Sequence, residues 1–262
     1  MTGFLASVTS AAEAETAMAG GADIIDLKDP RAGALGALPP SVIRQAAQAI
    51  AGRRTVSATA GDLPMQPQVV ADAAARIAEI GVDIVKVGFF SGGDAAACIA
   101  ELARLAAGGT RIVAVLFADT APDFALIDLL RDAGFAGAML DTADKGAGGL
   151  RRHLDDRALG EFVDRVRCCG MISGLAGSLA IADIAPLHRL SPDYLGFRGA
   201  LCRAGRTSEL DVESVRAARA AIDRAADYQE PAARIATAAA GAHRAAHSRA
   251  AGSPSTSSEK ST

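Results

Sequence analysis

The chain has 262 residues, half of them hydrophobic, and a formal net charge of −3; the length suits one large domain, and closed α/β barrels commonly use about 250 residues. The acidic balance and the absence of Trp exclude a basic, aromatic-rich surface for nucleic acid. No apolar run reaches the ~18 residues of a membrane span, and MTGFLASVTS lacks the basic and long apolar parts of a secretory leader, so neither membrane nor nucleic acid is expected as a partner.

Short apolar runs then alternate with Ala-rich helical stretches. FLASV (4–8) leads into a helix over 12–21 and carries no GxGxxG fingerprint of a dinucleotide-binding sheet. DIIDLK (23–28) ends on Lys28 and precedes a helix over 40–52 that opens on Pro and closes on Gly. TVSATA (55–60) brings Ser57 and Thr59 ahead of a helix over 67–81. DIVKVG (83–88) carries Lys86 and precedes a helix over 94–108, and RIVAVLFAD (111–119) ends on Asp119 before a helix over 122–134. GAMLDT (137–142) contains Asp141, with Lys145 just beyond and a helix over 156–170. MISGLAG (171–177) places Gly177 and Ser178 at the N-terminus of a helix over 178–190. DYLGFRG (193–199) ends at Arg198 and Gly199, before a last helix over 211–222.

Eight such units, with strands apolar on both faces, predict a single-domain (β/α)8 TIM barrel over 1–228 rather than an open doubly wound sheet. The Ala/Ser-rich tail over 229–262 has almost no large apolar residues and is expected to be disordered. His243 and His247 stand at i, i+4 there without a third ligand, and no metal or cofactor is expected. Cys98, Cys168, Cys169 and Cys202 lack metal or redox spacing and read as small buried thiols of a reducing, cytoplasmic protein.

Lysine is scarce. Of the 27 Lys and Arg residues four are Lys, and Lys28, Lys86 and Lys145 lie at or just past the ends of apolar strands. Arg keeps its proton at any useful pH, whereas Lys can lose it and attack a carbonyl. The active face of such a barrel lies at the C-terminal ends of its strands. That rim collects Asp26, Lys28, Ser57, Thr59, Lys86, Asp119, Asp141 and Lys145. Asp26 and Lys28, two apart, share a face, so the carboxylate can hold or relay the amine's proton. Schiff-base chemistry needs a Lys pKa brought from about 10.4 toward roughly 7 or 8, and Lys28 and Lys86 on nearby strands can depress one another. The loops after the seventh and eighth strands often bind phosphate, which assigns Gly177, Ser178, Arg198 and Gly199 to a phosphate cradle. Together these features predict an enzyme that handles a sugar phosphate through a Schiff base.

GGADIIDLKDPRAGALGA (20–37), VSATAGDLP (56–64), DIVKVGFF (83–90), AMLDTADKG (138–146), LAGSL (175–179) and GFRGALC (196–202) closely resemble the (5-formylfuran-3-yl)methyl phosphate synthases, over about residues 4–222. The resemblance implies a (β/α)8 barrel lyase of methanofuran biosynthesis that joins two molecules of glyceraldehyde 3-phosphate with loss of phosphate and water. It also implies Lys28 as the Schiff-base lysine, Lys86 as proton acceptor, and Asp26, Asp141 and Lys145 as further catalytic groups. A departure is the Gly-rich run from Asp141, DTADKGAGGLRRHLD, which bears on the spacing of Lys145. Two other readings stay open: a class I aldolase of the deoxyribose-phosphate type, and a non-catalytic sugar-phosphate-binding barrel. A homo-oligomer is compatible with all three.

Overall fold

Runs such as IVKVGF and IVAVLF, buried at every position, can be strands only where both sheet faces are covered. The computed structural model describes residues 2–227 and forms all eight expected strands in order. They are β1 (Gly3–Val8), β2 (Ile24–Leu27), β3 (Thr55–Thr59), β4 (Ile84–Phe89), β5 (Ile112–Phe117), β6 (Gly137–Asp141), β7 (Ile172–Leu175) and β8 (Tyr194–Phe197). Every neighbouring pair is parallel and β1 closes on β8, which makes a closed barrel. Its outer layer is α1 (Ala11–Ala19), α2 (Pro40–Ile50), α3 (Pro67–Ala78), α4 (Ala95–Ala107), α5 (Leu126–Asp132), α6 (Leu150–His153), α7 (Asp156–Cys168), α8 (Ile184–His188) and α9 over 212–227.

Local chemistry sets the helix starts. Ser10, Asp94 and Asp155 accept the backbone N–H groups of Glu13, Ala97 and Ala158, and Pro40 and Pro67 open their helices, where no N–H is needed. A large apolar cluster packs strands against helices. A separate cluster, including Leu5, Ile84, Val113, Val115, Met139 and Tyr194, fills the barrel interior.

Three aspartates repeat one device at the base of the barrel. Asp23, Asp83 and Asp193 stand just before β2, β4 and β8, and each accepts an N–H near the start of the preceding strand: Phe4 at 2.8 Å, Val56 at 2.7 Å and Ser173 at 2.6 Å. Each returns its own N–H to the same residue's carbonyl. Before β6 the corresponding residue is Ala136, which keeps only the backbone bond, to Ile112 at 2.8 Å.

Two expectations need correction. Gly177 and Ser178 do not start a helix: both adopt left-handed backbone, at φ +108° and +47°, and the chain turns before a 3-10 turn at Ile181–Asp183 and the short α8. Of the four cysteines only Cys98 is buried; Cys168 is exposed, because the buried stripe of α7 runs through Leu159, Phe162, Val163 and Val166 and misses it. The tail over 229–262, with His243, His247 and Lys260, lies outside the described residues. Among the described residues, no helix is long and apolar enough to cross a membrane.

Candidate active site

Side chains alternate along a strand, so Asp26 and then Lys28, just past the end of β2, point into the barrel. Register sets Asp26 level with Ser57, and Thr59 level with Lys86. Asp26 is fully buried and accepts from Ser57 Oγ at 2.6 Å, Ser7 Oγ at 2.9 Å and Lys86 Nζ at 3.0 Å. Its ion-pair partner is therefore Lys86 and not Lys28, the neighbour two residues on. Lys28 stands one pleat higher, where its Nζ lies 3.6 Å from Asp141 Oδ2 and 3.5 Å from the Ala34 carbonyl. Asp141 Oδ1 also accepts from Lys145 Nζ at 2.5 Å and from the Thr142 N–H at 2.8 Å. Two carboxylates thus face three amines in two tiers, Asp26–Lys86 below and Lys28–Asp141–Lys145 above.

Burial by itself would raise both carboxyls. The ammonium groups of Lys86 and Lys28 reverse this for Asp26, and those of Lys145 and Lys28 for Asp141, so both sit below the usual carboxylate range. Lys86 and Lys145 move the other way from their usual value: burial lowers both, the paired aspartates oppose it, and the charge of Lys28 adds to the fall. A buried amine with a lowered pKa is suited to exchanging protons near neutral pH.

Loops fix the upper tier. Asp119 accepts from the N–H groups of Ala143 and Asp144, at 2.8 and 2.7 Å, and so holds the turn that delivers Lys145 without itself lining the cavity. Asp62 accepts from Ala34 and Leu35, at 2.9 and 2.6 Å, and pins the loop over Lys28. Gly33 in that loop has φ +118°, and a Cβ there would stand 2.0 Å from Asp62 Oδ2, so a side chain would strain the backbone and push Asp62 off its two N–H donors. The hydroxyls of Ser57 and Thr59 are engaged inside, on Asp26 and on the Gly36 carbonyl.

A cavity of about 280 Å³ opens above these groups. Lys28, Lys86, Asp141 and Lys145 line it, together with Gly177, Ser178, Arg198 and Gly199. Asp26 lies beneath, behind Lys86. The Arg198 guanidinium has a full set of partners: Nε donates to the Arg206 carbonyl, Nη1 to Glu13 and the Ser7 carbonyl, and Nη2 to Glu13 and the Ser208 carbonyl. What Arg198 leaves for a ligand is main chain. The backbone N–H groups of Gly177, Ser178, Gly199 and Ala200 donate to no acceptor among the described residues.

Sequence reasoning missed Glu13, Asp62 and Arg206. Ser10 and Glu13 have the spacing of a capping box, a signal that points to the helix start and says nothing of Arg198. Arg206, also on the cavity wall, sits in a loop with no local pattern.

The profile of the 4-HFC-P synthase family matches residues 4–219. A provisionally named (5-formylfuran-3-yl)methyl phosphate synthase of Methylorubrum extorquens is 47% identical over 210 residues, covering 79% of this chain and 86% of that protein. The (5-formylfuran-3-yl)methyl phosphate synthase of Methanococcus aeolicus is 38% identical over 208 residues, covering 75% and 88%. Among solved structures, 3-hexulose-6-phosphate synthase from Salmonella typhimurium superposes with a TM-score of 0.63 at 16% identity, over 86% of this chain and 100% of that one, which shows a common fold. The family match spans every strand of the barrel and both tiers of the site, and on that evidence the chain belongs to the 4-HFC-P synthase family.

Proposed function

We propose that this protein is a lyase that makes (5-formylfuran-3-yl)methyl phosphate from two molecules of glyceraldehyde 3-phosphate, for methanofuran biosynthesis, with Lys28 as the covalent nucleophile. One observation carries the reading: Lys28 reaches the cavity wall beside Asp141, in a chain whose relatives bear the name of that synthase.

The Lys28 amine adds to the aldehyde carbon, and loss of water leaves an iminium. Asp141, in contact with both Lys28 and Lys145, is placed to carry the proton that departs with that water. The iminium draws electrons from the neighbouring carbon. Lys86 accepts the proton released there, and the Asp26 carboxylate stabilises the ammonium that forms. The resulting enamine forms a carbon–carbon bond to the second aldehyde. Ring closure, hydrolysis from Lys28 and elimination give one six-carbon furan phosphate, one phosphate and two waters. No oxidant is needed. The open main-chain N–H groups at Gly177, Ser178 and Gly199 suit a phosphate.

Borohydride reduction in the presence of glyceraldehyde 3-phosphate, followed by peptide mapping, tests the nucleophile. The expected adduct is on Lys28. An adduct on Lys86 with Lys28 untouched would exchange the two roles. Near-ultraviolet absorbance identifies a furan product, whereas an open-chain aldol would make the protein a class I aldolase.

A further inference from the structure

The fold takes four arginines of the described residues partly or wholly out of water: Arg165, Arg198, Arg206 and Arg219. Three of them meet a carboxylate, Arg165 at Asp128 (2.6 Å), Arg198 at Glu13 (2.5 Å) and Arg219 at Asp223 (2.7 Å). Arg206 meets none. Its side chain makes one hydrogen bond among the described residues, from Nη2 to the Gly33 carbonyl at 3.0 Å. A guanidinium carries five N–H donors, and those of Arg206 that make no bond stay open to the cavity and its water, where an anion can take them. Burial also lowers the Arg206 pKa from its ordinary value, with Asp141, Asp62 and Asp29 opposing.

The location agrees. Arg206 lines the same cavity as Lys28 and Gly177. A Cβ built on Gly199 would stand 3.8 Å from that of Arg206, so the side chain is rooted beside the loop whose N–H groups are open. Its backbone is anchored in turn: the Arg206 and Ser208 carbonyls both accept from the Arg198 guanidinium, at 2.8 and 2.7 Å, and that guanidinium is itself paired with buried Glu13.

We propose that Arg206 is the phosphate-binding cation of this cavity, completing a cradle whose other donors are the main chain at Gly177–Ser178 and Gly199–Ala200. Glu13 and Arg198 are positioning residues that hold the loop presenting it. This rests on the reading of the cavity as a sugar-phosphate site. The cationic role goes to Arg206 because its donors are idle and those of Arg198 are full.

The test is Arg206→Gln in the full chain, which removes the charge and keeps a polar side chain. Kinetics with glyceraldehyde 3-phosphate are paired with calorimetric titration of inorganic phosphate, and matched thermal midpoints verify the fold. A charge-assisted contact of this kind corresponds to about 10–100-fold in binding. KM should rise by about that factor with kcat nearly unchanged, phosphate affinity should fall in parallel, and Arg206→Lys should recover part of both. Unchanged KM and unchanged phosphate affinity in Arg206→Gln, with furan still produced, would overturn the assignment. Should the parent produce no furan while Arg206→Gln still loses phosphate affinity, the assigned reaction fails and the anion site stands. A variant that does not fold leaves the Arg206→Lys titration to decide: a partial fall in phosphate affinity supports a binding guanidinium, and affinity equal to the parent's refutes it.

Discussion

Lys86→Met isolates the charge on Asp26. Methionine fills much of the lysine's volume but removes the ammonium 3.0 Å from the carboxylate. Asp26 then remains at 0% exposure with the hydroxyls of Ser7 and Ser57 as its hydrogen-bond donors. Removing one partner of a buried ion pair costs about 3–5 kcal/mol. Lys28 still lends its charge to Asp26, so the expected loss is at the lower end, about 3 kcal/mol. In a domain of this size 1 kcal/mol moves the melting midpoint by about 2–4 °C, so the variant should melt about 6–12 °C below the parent at neutral pH. Without Lys86, burial dominates and the carboxyl rises above its unfolded value. A folded-state pKa that is raised means the native state holds a proton the unfolded chain releases, so the deficit is present at neutral pH and shrinks as pH falls through that pKa. Asp26→Asn combined with Lys86→Met removes both charges and should recover most of the loss. Circular dichroism melts of the three proteins between pH 5 and pH 8 measure all of this. A Lys86→Met midpoint equal to the parent's at every pH would refute the reasoning, because the pair would then hold no buried charge.

Asp119→Asn should lower kcat several-fold with little change in KM, since one of the two carboxylate oxygens that accept from the backbone is replaced by an NH2 donor and the Lys145 turn loosens; equal kcat would mean that the turn holds itself. Glu13 sits below its ordinary value of 4.5 because the bonds from Arg198 and Thr9 outweigh its burial. Its stabilising effect is therefore full above that value and lost as pH falls through the lowered one. Glu13→Gln should thus melt well below the parent at neutral pH, by a margin that narrows under acid, and should raise KM by loosening the Arg206 loop. A margin that does not vary with pH would remove the charge from the explanation.

The barrel was legible because its strands are apolar on both faces and its helices open on Ser, Asp or Pro. The lysines stood out because Arg meets almost every other need for positive charge. What local pattern could not supply was who faces whom. Asp26 and Lys28 share a face of one strand, yet the short aspartate reaches only its own tier, and there the nearest amine comes from β4. Nothing in GFRGALCRAGR says that the first arginine turns back to α1 and the last toward the cavity. The turn at Gly177 depends on a left-handed Ser178, a conformation that residue type does not advertise.

The aspartate ties at the base of the barrel bear on how the ring is assembled. They span 19, 27 and 20 residues and fall within β1–β2, β3–β4 and β7–β8, never between those pairs. Loops that short close at a lower entropic cost than the ring, which joins Gly3 to Tyr194 across nearly the whole barrel. Three of the four strand–helix–strand quarters therefore carry a lock of their own, independent of the contact that closes the ring. The fourth, β5–β6, has Ala136 where the lock would be, and it is the quarter that supplies Asp141 and Lys145. The quarter without an aspartate tie is thus the one that brings the upper tier of the site to Lys28, and its five ladder pairs from Val113 to Phe117 hold it instead.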